Sequence, residues 1–456
     1  MVLNQRSYLI LRIIVLCAVV VLLAMCIHPF LTAWLGSLTQ QYALTKTWKE
    51  IALVILLMAS GAFLLHRKQL LSVVVRDRIN QIIFLYAILH IVLALIFYRP
   101  NEPEAVVAGL MFNLRFLGIF LILRLIHFLL PKDRTAIIEK VTQIFLITAV
   151  GVAIFGILQV TVLPRDFLTH FGYTGVLTIS PYSTVDDNSS FLRAFSTQRG
   201  PNTLGSFLLL PFALFLVNCF KREKLKFSVF GLLSSGIAIY LTYSRSAVLA
   251  MIIVAAVVAI IMERKKLKKI LAPLLIGVGV VAVALGVLVA SVPAVRLYVF
   301  HSSPGDSSLV EGSTNDHLKA TVDNAGDAIR HPLGQGPGSA GPASFYLQHA
   351  EPKIAENYFV QIAQEVGILG LAIFAALSTI VGWVLFRMIN GGPASSLIIG
   401  LFSSFIGINV INFLLHGWAD DPTSIVWWGF AAMVIPFTQV ALNTKAASAS
   451  PKKAVS

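Results

Sequence analysis

The sequence predicts an all-α polytopic membrane protein. Of its 456 residues, 57% are hydrophobic and only 12% are charged, and its mean hydropathy is +0.83. Soluble domains carry about 25% charged residues, so this composition excludes a series of globular domains. The apolar runs are about 20 residues long, which is the length of a membrane helix rather than of a barrel strand. Because helices satisfy their backbone hydrogen bonds inside lipid, we expect a helical bundle.

Twelve apolar runs are long enough to be interpreted as membrane spans. In chain order they lie at about 8–27, 50–66, 79–98, 106–127, 136–161, 201–220, 227–243, 246–262, 270–292, 359–386, 396–415 and 424–441. The first run lacks a small-residue cleavage site, so we interpret it as a retained helix and not a signal peptide. Residues 1–441 form one predicted transmembrane domain, and the polar residues 442–456 a disordered tail.

The distribution of charge orients these spans. With the N-terminus placed inside, most of the 35 basic residues fall in the inner connections. Basic short loops mark the cytoplasmic side, so both termini are expected in the cytoplasm. The basic residues of the cytoplasmic loops thus account for the net charge of +14. We therefore expect no nucleic-acid partner. Cys17, Cys26 and Cys219 lie in or beside apolar runs, which excludes a disulfide in an outer loop.

Two long polar segments fall on the outer side, at 164–200 and 296–356. Long connections are usually functional or disordered, and the second segment is neither low-complexity nor uniformly charged. We therefore expect a site at the membrane surface to which both segments contribute. In the second, a capping-box-like sequence at 313–316 predicts an amphipathic helix at about 314–330. This helix should end before Pro332, since the residue preceding a proline is disfavoured in a helix.

Arginines are the best candidates for binding an anion at this surface, because guanidinium stays charged and grips phosphate oxygens as a fork. Arg245 lies between two spans with almost no connection, either as a snorkelling side chain or as an anion-binding group. Arg193 and Arg199 precede the helix that opens at Pro201 and Asn202, whose N-terminus also favours an anion. Solvated loop arginines are the alternative for both.

Two more arginines lie inside the fourth span. Arg115 requires either a buried partner or a site facing the bundle. Arg124 lies near the inner end of the span, and we expect it to snorkel to the inner face.

Acidic and imidazole side chains are the candidates for a general base. Glu356 opens the tenth span beside Asn357, although a carboxylate at a helix start is also an ordinary dipole interaction. His317 and His331 titrate near neutrality and either accept a proton or are simply solvated.

Paired acids occur at 186–187 and at 420–421 and could bind a cation. Neither pair has further carboxylates or histidines at metal-ligand spacing. We therefore expect neither a metal nor another cofactor.

Four segments together resemble the bacterial O-antigen ligase and O-antigen polymerase family of membrane glycosyltransferases. They are FSTQRGPNTLGSFLLLPFAL (195–214), LTYSRSAVLAM (241–251), HPLGQGPGS (331–339) and AENYFVQIAQEVGILGL (355–371). The resemblance covers roughly residues 190–375 and rests on the order of these segments. It implies a multi-helix bundle of the GT-C-like type in the bacterial inner membrane. It also implies inverting, metal-independent transfer at the outer membrane face, from a glycan on undecaprenyl diphosphate to a sugar hydroxyl.

With this chemistry, fixed cations would hold the diphosphate and a base would accept the hydroxyl proton. The diphosphate would be bound by Arg193, Arg199, Arg245, Arg330 and Arg115. The catalytic group would be Glu356, with His317 and Arg245, and the supporting residues would be Asn202, Asn357 and His331.

The acceptor distinguishes two activities within the family. Ligases join the glycan to lipid A core, and polymerases join it to another lipid-linked repeat unit. Ligases of the family usually carry His-Asn where this chain has Glu356 and Asn357, which favours a polymerase. A transporter of lipid or solute, or a non-catalytic envelope-assembly protein, is the alternative class. Transporters tend to contain inverted repeats, and this sequence has no clear one.

Overall fold

The computed structural model describes residues 3–176, 178–185, 188–264, 307–348, 351–390 and 395–438, and only the backbone at 188–190 and 307–318. Several predicted features lie outside these residues. They are the span at 270–292, the acids at 186–187, the first part of the 296–356 segment and the tail at 442–456.

Helices make up most of the described chain. In order they are α1 (Gln5–Ala24), α2 (His28–Thr39), α3 (Tyr42–Lys46), α4 (Trp48–His66), α5 (Lys68–Arg76), α6 (Arg78–Ile96), α7 (Pro103–Arg124), α8 (Pro131–Thr161), α9 (Pro201–Lys221), α10 (Leu225–Leu241), α11 (Arg245–Met262), α12 (Ser307–Arg330), α13 (Tyr358–Asn390), α14 (Ser396–Asn412) and α15 (Asp421–Val434). Single 3-10 turns occur at Leu125–Phe128, Phe167–Phe171, Gly341–Tyr346 and Gly417–Ala419. A small antiparallel hairpin pairs β1 (Thr184–Val185) with β2 (Asn188–Leu192).

Eight of the described helices are long and apolar enough to cross a membrane. They are α1, α4, α6, α7 with the turn after it, α8, α9, α11 and α13. Two more, α10 and α14, are apolar but only 17 residues long. The predicted class, an all-α protein with multiple membrane spans, is confirmed.

The last predicted span is shorter than the sequence indicated. Its helix, α15, has 14 residues and ends at Val434, not near 441. Pro436 is the physical reason, because the residue before a proline is pushed out of the helical region. Ile435 is accordingly extended, with φ −87° and ψ 104°.

Two local predictions also differ from the observed elements. The helix expected from about 314 begins at Ser307, so the capping-box-like sequence lies inside it and does not start it. Arg124 does not snorkel. It is fully buried, and its Nη1 lies 2.6 Å from Asp77 Oδ1, since a buried guanidinium needs a paired carboxylate.

The helices α7 and α15 pack against each other within the hydrophobic core of the bundle. Trp428 of α15 packs against Phe116 and Phe120 of α7, with ring centroids 5.4 and 5.6 Å apart. Gly429 lets α1 approach closely, since a Cβ there would lie 2.0 Å from Leu22 Cδ1. Small residues commonly permit such close packing of membrane helices.

The direction of each helix determines which of its ends borders a cavity. The first residues of α4, α7 and α15, and Arg199 just before α9, border one cavity. The last residues of α9 and α15 border another cavity, at the opposite end of the bundle.

Candidate active site

A cavity of about 520 Å³ lies at the end of the bundle where α4, α7 and α15 begin. Its polar lining comes from distant parts of the chain: His28, Tyr42, Lys46, Lys49, Glu50, Glu104, Arg115, Arg199, Tyr346 and Asp421. Arg199 belongs to the 164–200 segment and Tyr346 to the 296–356 segment. The cavity is thus bordered by residues of both long polar segments.

Four charged side chains form a ring of ion pairs in the cavity wall. Lys49 Nζ lies 2.9 Å from both Glu50 Oε1 and Asp421 Oδ2. Arg115 Nη1 lies 3.3 Å from Glu50 Oε1, and its Nη2 pairs closely with Asp421 Oδ1. Two cations balance two anions, as buried charge requires. Arg115 therefore has the buried partners that were one of its two predicted alternatives, and it also faces the cavity.

His28 contacts this ring in its neutral form. Its Nδ1 accepts a hydrogen bond of 3.0 Å from Trp48 Nε1. Because an indole nitrogen can only donate, the imidazole proton must be on Nε2, which lies 3.6 Å from Asp421 Oδ2. Burial, followed by the nearby Lys49 charge, lowers the pKa of His28 to about 3.

No sequence pattern predicted a group made of His28, Lys49, Glu50 and Asp421. One signal was available: Arg115 required a buried partner, and Lys49 and Glu50 stand at the start of an apolar run. Asp421 was considered only as half of a cation-binding pair. Its carboxylate instead contacts Lys49 and Arg115.

The segment before Arg199 is held in place by hydrogen bonds to α8 and to the turn that follows α1. Gln159 Oε1 in α8 accepts the backbone N–H of Ser196 at 2.8 Å. The side chains of Thr197 and Gln198 donate to the carbonyl oxygen of Cys26 at 2.8 and 2.9 Å. The polar residues of this motif therefore fix the backbone, and the arginine that follows reaches the cavity.

Arg199 combines an accessible side chain with an acidic surrounding. It is solvent-exposed where it borders the cavity. Desolvation by the protein around the cavity would by itself lower the pKa of Arg199, but the nearby carboxylates of Asp421 and Asp420 outweigh this effect and raise that pKa. Arg199 is therefore a permanent cation beside the neutral ring.

Asp420 is the second acid near Arg199. It is half-buried, and burial raises its pKa to about 6, although Arg199 acts in the opposite direction. A carboxyl group that titrates near neutrality can accept and release a proton. This residue was not among the predicted bases.

Arg193, Asn202 and the start of α11 form a separate group. Arg193 Nε donates to the carbonyl oxygen of Thr242 at 2.8 Å, and its Nη2 lies 3.2 Å from Asn202 Oδ1. Thr242 belongs to the turn that leads into Arg245, the first residue of α11. The described cavity lining includes neither Arg193 nor Arg245.

The glycine motif at 331–339 wraps around a break in α13. Gly367 interrupts that helix with φ 74° and ψ 179°. Gly336 N donates to the carbonyl oxygen of Glu365 at 2.9 Å, and Ile368 N to that of Pro332 at 2.9 Å. These bonds satisfy backbone groups that the break leaves without helical partners.

Glu365 holds this loop against α7. Its Oε1 accepts the backbone N–H of Gly338 at 2.7 Å, and its Oε2 accepts Asn113 Nδ2 at 2.6 Å. Gly338 has φ +85°, and a Cβ there would lie 2.0 Å from the carbonyl oxygen of Ala105. The motif therefore needs glycine for backbone conformation and for close approach.

The loop continues into the 3-10 turn at Gly341–Tyr346, which closes one side of the cavity. Tyr346 OH accepts a hydrogen bond of 2.7 Å from Lys46 Nζ. Lys46 ends α3, so this contact joins the beginning of the chain to the 296–356 segment.

The remaining predicted residues lie away from the described cavity lining. Glu356 is half-buried with φ 50°, and Asn357 Oδ1 caps α13 by accepting the N–H of Phe359 at 2.9 Å. Arg330 and His331 are exposed at the end of α12. His317 lies in α12, and its side chain is outside the described residues.

Fold and site together define a multi-pass membrane protein with a charged cavity at one end of its helical bundle. Residues 230–375 match the family model described as O-antigen ligase. An O-antigen polymerase from Salmonella muenchen is 24% identical over 357 residues, which cover 76% of this chain and 86% of that protein. The predicted resemblance to the O-antigen ligase and polymerase family is thereby confirmed, and these matches support a role in polysaccharide biosynthesis at a bacterial membrane.

Proposed function

We propose that this chain is a membrane glycosyltransferase that transfers or polymerises an undecaprenyl-diphosphate-linked glycan. The acceptor is a sugar hydroxyl, and the reaction takes place at the outer face of the cytoplasmic membrane, with both termini in the cytoplasm. The observation that carries the proposal is Arg199, an accessible permanent cation in a cavity of about 520 Å³. Cavities of roughly 300–1,000 Å³ accommodate small polar ligands, so a diphosphate with its first sugar is of suitable size.

Basic side chains outnumber acidic ones in the cavity lining by one, four against three, which supports an anionic ligand such as a diphosphate. The ring of Lys49, Glu50, Arg115 and Asp421 is neutral as a set, so it fixes geometry and adds little net charge. Arg199 can bind phosphate oxygens as a fork. In the reaction the acceptor oxygen bonds to the anomeric carbon, and the bond from that carbon to the diphosphate breaks. The diphosphate leaves with the electron pair, and Arg199 stabilises the charge that develops on it.

The acceptor proton requires a base, and two carboxylates are candidates. Glu356 is the residue chosen from the sequence. Asp420 has a pKa near 6 and lies close to Arg199, which supports it as the acceptor of the proton. A base acts in its deprotonated form, so transfer by Asp420 would decline as the pH falls below about 6.

The test is glycan transfer by purified protein in detergent from an undecaprenyl-diphosphate-linked oligosaccharide, with EDTA present. Removal of one charge-stabilising donor typically lowers the rate by about 100- to 1,000-fold, and we expect that loss in Arg199→Ala. Lys319→Ala, an exposed basic residue of α12, is the matched control and should retain the wild-type rate. Transfer at the wild-type rate by Arg199→Ala would contradict the assignment.

Further variants and acceptors resolve the finer assignments. Asp420→Asn and Glu356→Gln distinguish the two bases, because the variant of the true base loses transfer together with its acidic pH limb. Arg245→Ala tests the separate arginine group.

Lipid-linked repeat units and lipid A core, supplied separately, distinguish a polymerase from a ligase. No transfer by the wild type to either acceptor would favour the transporter or assembly class.

A further inference from the structure

A second and larger cavity, of about 1020 Å³, lies at the end of the bundle opposite Arg199. It is bordered by the start of α8, the turn between α9 and α10, the start of α14 and the end of α15. The helix α9 begins at Pro201 beside Arg199, and Leu214 is its first residue that lines the second cavity, so about 20 Å of helix separates the two cavities. The second cavity is therefore no extension of the candidate active site.

The deep part of this cavity is apolar. Leu146 of α8, Leu214 of α9 and Met433 of α15 line it and are buried. Such a surface would exclude a small hydrophilic ligand from the interior but would accept a hydrocarbon chain.

The rim of the cavity is polar, with an excess of basic residues. The basic residues of the rim are Arg134 on α8 and Lys221 and Lys224 at the α9–α10 turn. Two acids accompany them, Glu139 on α8 and Glu223 at the same turn. Glu223 Oε2 already accepts a hydrogen bond of 3.2 Å from Ser396 Oγ. The rim thus complements an anionic group.

Asn218, which borders the cavity, contains one buried acceptor. Asn218 Oδ1 is buried and has no hydrogen-bond partner among the described residues. A buried polar atom of this kind is costly unless it is hydrogen-bonded. A hydroxyl group on a ligand would satisfy it.

We propose that this cavity binds an anionic membrane phospholipid. Its phosphate lies at the basic rim, a headgroup hydroxyl donates to Asn218, and an acyl chain lies along Leu146, Leu214 and Met433. Free phosphate would use only the rim. The chain's own residues 439–456 carry three lysines and no acidic residue, so they would supply no anionic group to the basic rim. This site is independent of the proposed transferase activity.

The experiment titrates phosphatidylglycerol into the purified full-length protein in zwitterionic detergent and follows the thermal unfolding midpoint. Saturable binding should raise that midpoint, whereas phosphatidylcholine and glycerol 3-phosphate should not. Lys221→Gln with Lys224→Gln should raise the half-saturating lipid concentration by roughly tenfold. Thr142→Trp, which fills the cavity from α8, should abolish the shift.

The matched control is Lys132→Gln with Lys140→Gln, which removes the same charge from exposed positions of α8 that do not line the cavity. It should bind phosphatidylglycerol as the wild type does. Equal binding by the Thr142→Trp variant, or equal weakening by the control pair, would overturn the proposal. A shift with glycerol 3-phosphate as large as that with phosphatidylglycerol would also overturn it, because a headgroup site needs no acyl chain.

Discussion

At the scale of single residues, two arginines of the same cavity have different tasks. Arg115 is buried and forms ion pairs with both Glu50 and Asp421, so its main role is to stabilise the cavity wall. Arg199 is exposed in the cavity, so it is the better group to meet an incoming anion. The chemical type of the side chain is identical, and the environment alone separates the two roles.

The ring of ion pairs makes Asp421 a sensitive position. Asp421→Asn should leave Lys49 and Arg115 with a single carboxylate partner, Glu50, and removing one partner of a buried pair costs about 3–5 kcal/mol. We expect a clearly lower thermal unfolding midpoint and a lower yield of folded protein. Glu104→Gln, an exposed acid of the same cavity, should unfold like the wild type. Equal midpoints for the two variants would show that the ring does not hold the wall together.

At the scale of elements, the glycine loop and the first turns of α13 form one unit. Glu365 binds the loop through Gly338 and binds α7 through Asn113. The loop leads directly to Tyr346 at the cavity, so a disturbance of the loop reaches the site through a short stretch of backbone.

Gly338→Ala tests this unit. The added Cβ would meet the carbonyl oxygen of Ala105 at 2.0 Å, and the φ of +85° is unfavourable for alanine. We expect a lower unfolding midpoint, by several degrees or more, and lower transfer. Gly326→Ala is the control, because it lies in α12 with open space around its Cβ position. Alanine favours a helix by about 1 kcal/mol over glycine, so Gly326→Ala should not lower the midpoint.

At the scale of the whole molecule, the two cavities open at opposite ends of the bundle. In the proposed orientation, Glu104 at the first cavity faces the periplasm and Lys140 near the second faces the cytoplasm. Both positions are exposed.

Cysteine labelling tests this orientation. With Cys17, Cys26 and Cys219 replaced, Glu104→Cys should react in intact spheroplasts with a membrane-impermeant maleimide. Lys140→Cys should react only after the membrane is permeabilised. Labelling in the reverse order would place the candidate active site on the cytoplasmic side and contradict the proposed donor chemistry.

Most of the bundle was predictable because lipid imposes a length and a composition on every span. The ring of ion pairs was not predictable, because Lys49, Arg115 and Asp421 are far apart in sequence. A buried arginine indicates only that some partner must exist. The end of α15 was predictable in principle from Pro436. The arginine best placed to bind the diphosphate was not predictable, since hydropathy and motif order do not tell which arginine borders a cavity.

The break at Gly367 changes how α13 fits a bilayer. As one straight rod its 33 residues would be about 50 Å long, well beyond a hydrocarbon layer of about 30 Å. The part after Gly367 is about 35 Å long and matches that layer with a slight tilt. The turns before it, with Gln361, Gln364 and Glu365, then belong to the interfacial region, so these polar side chains need not be transferred into oil.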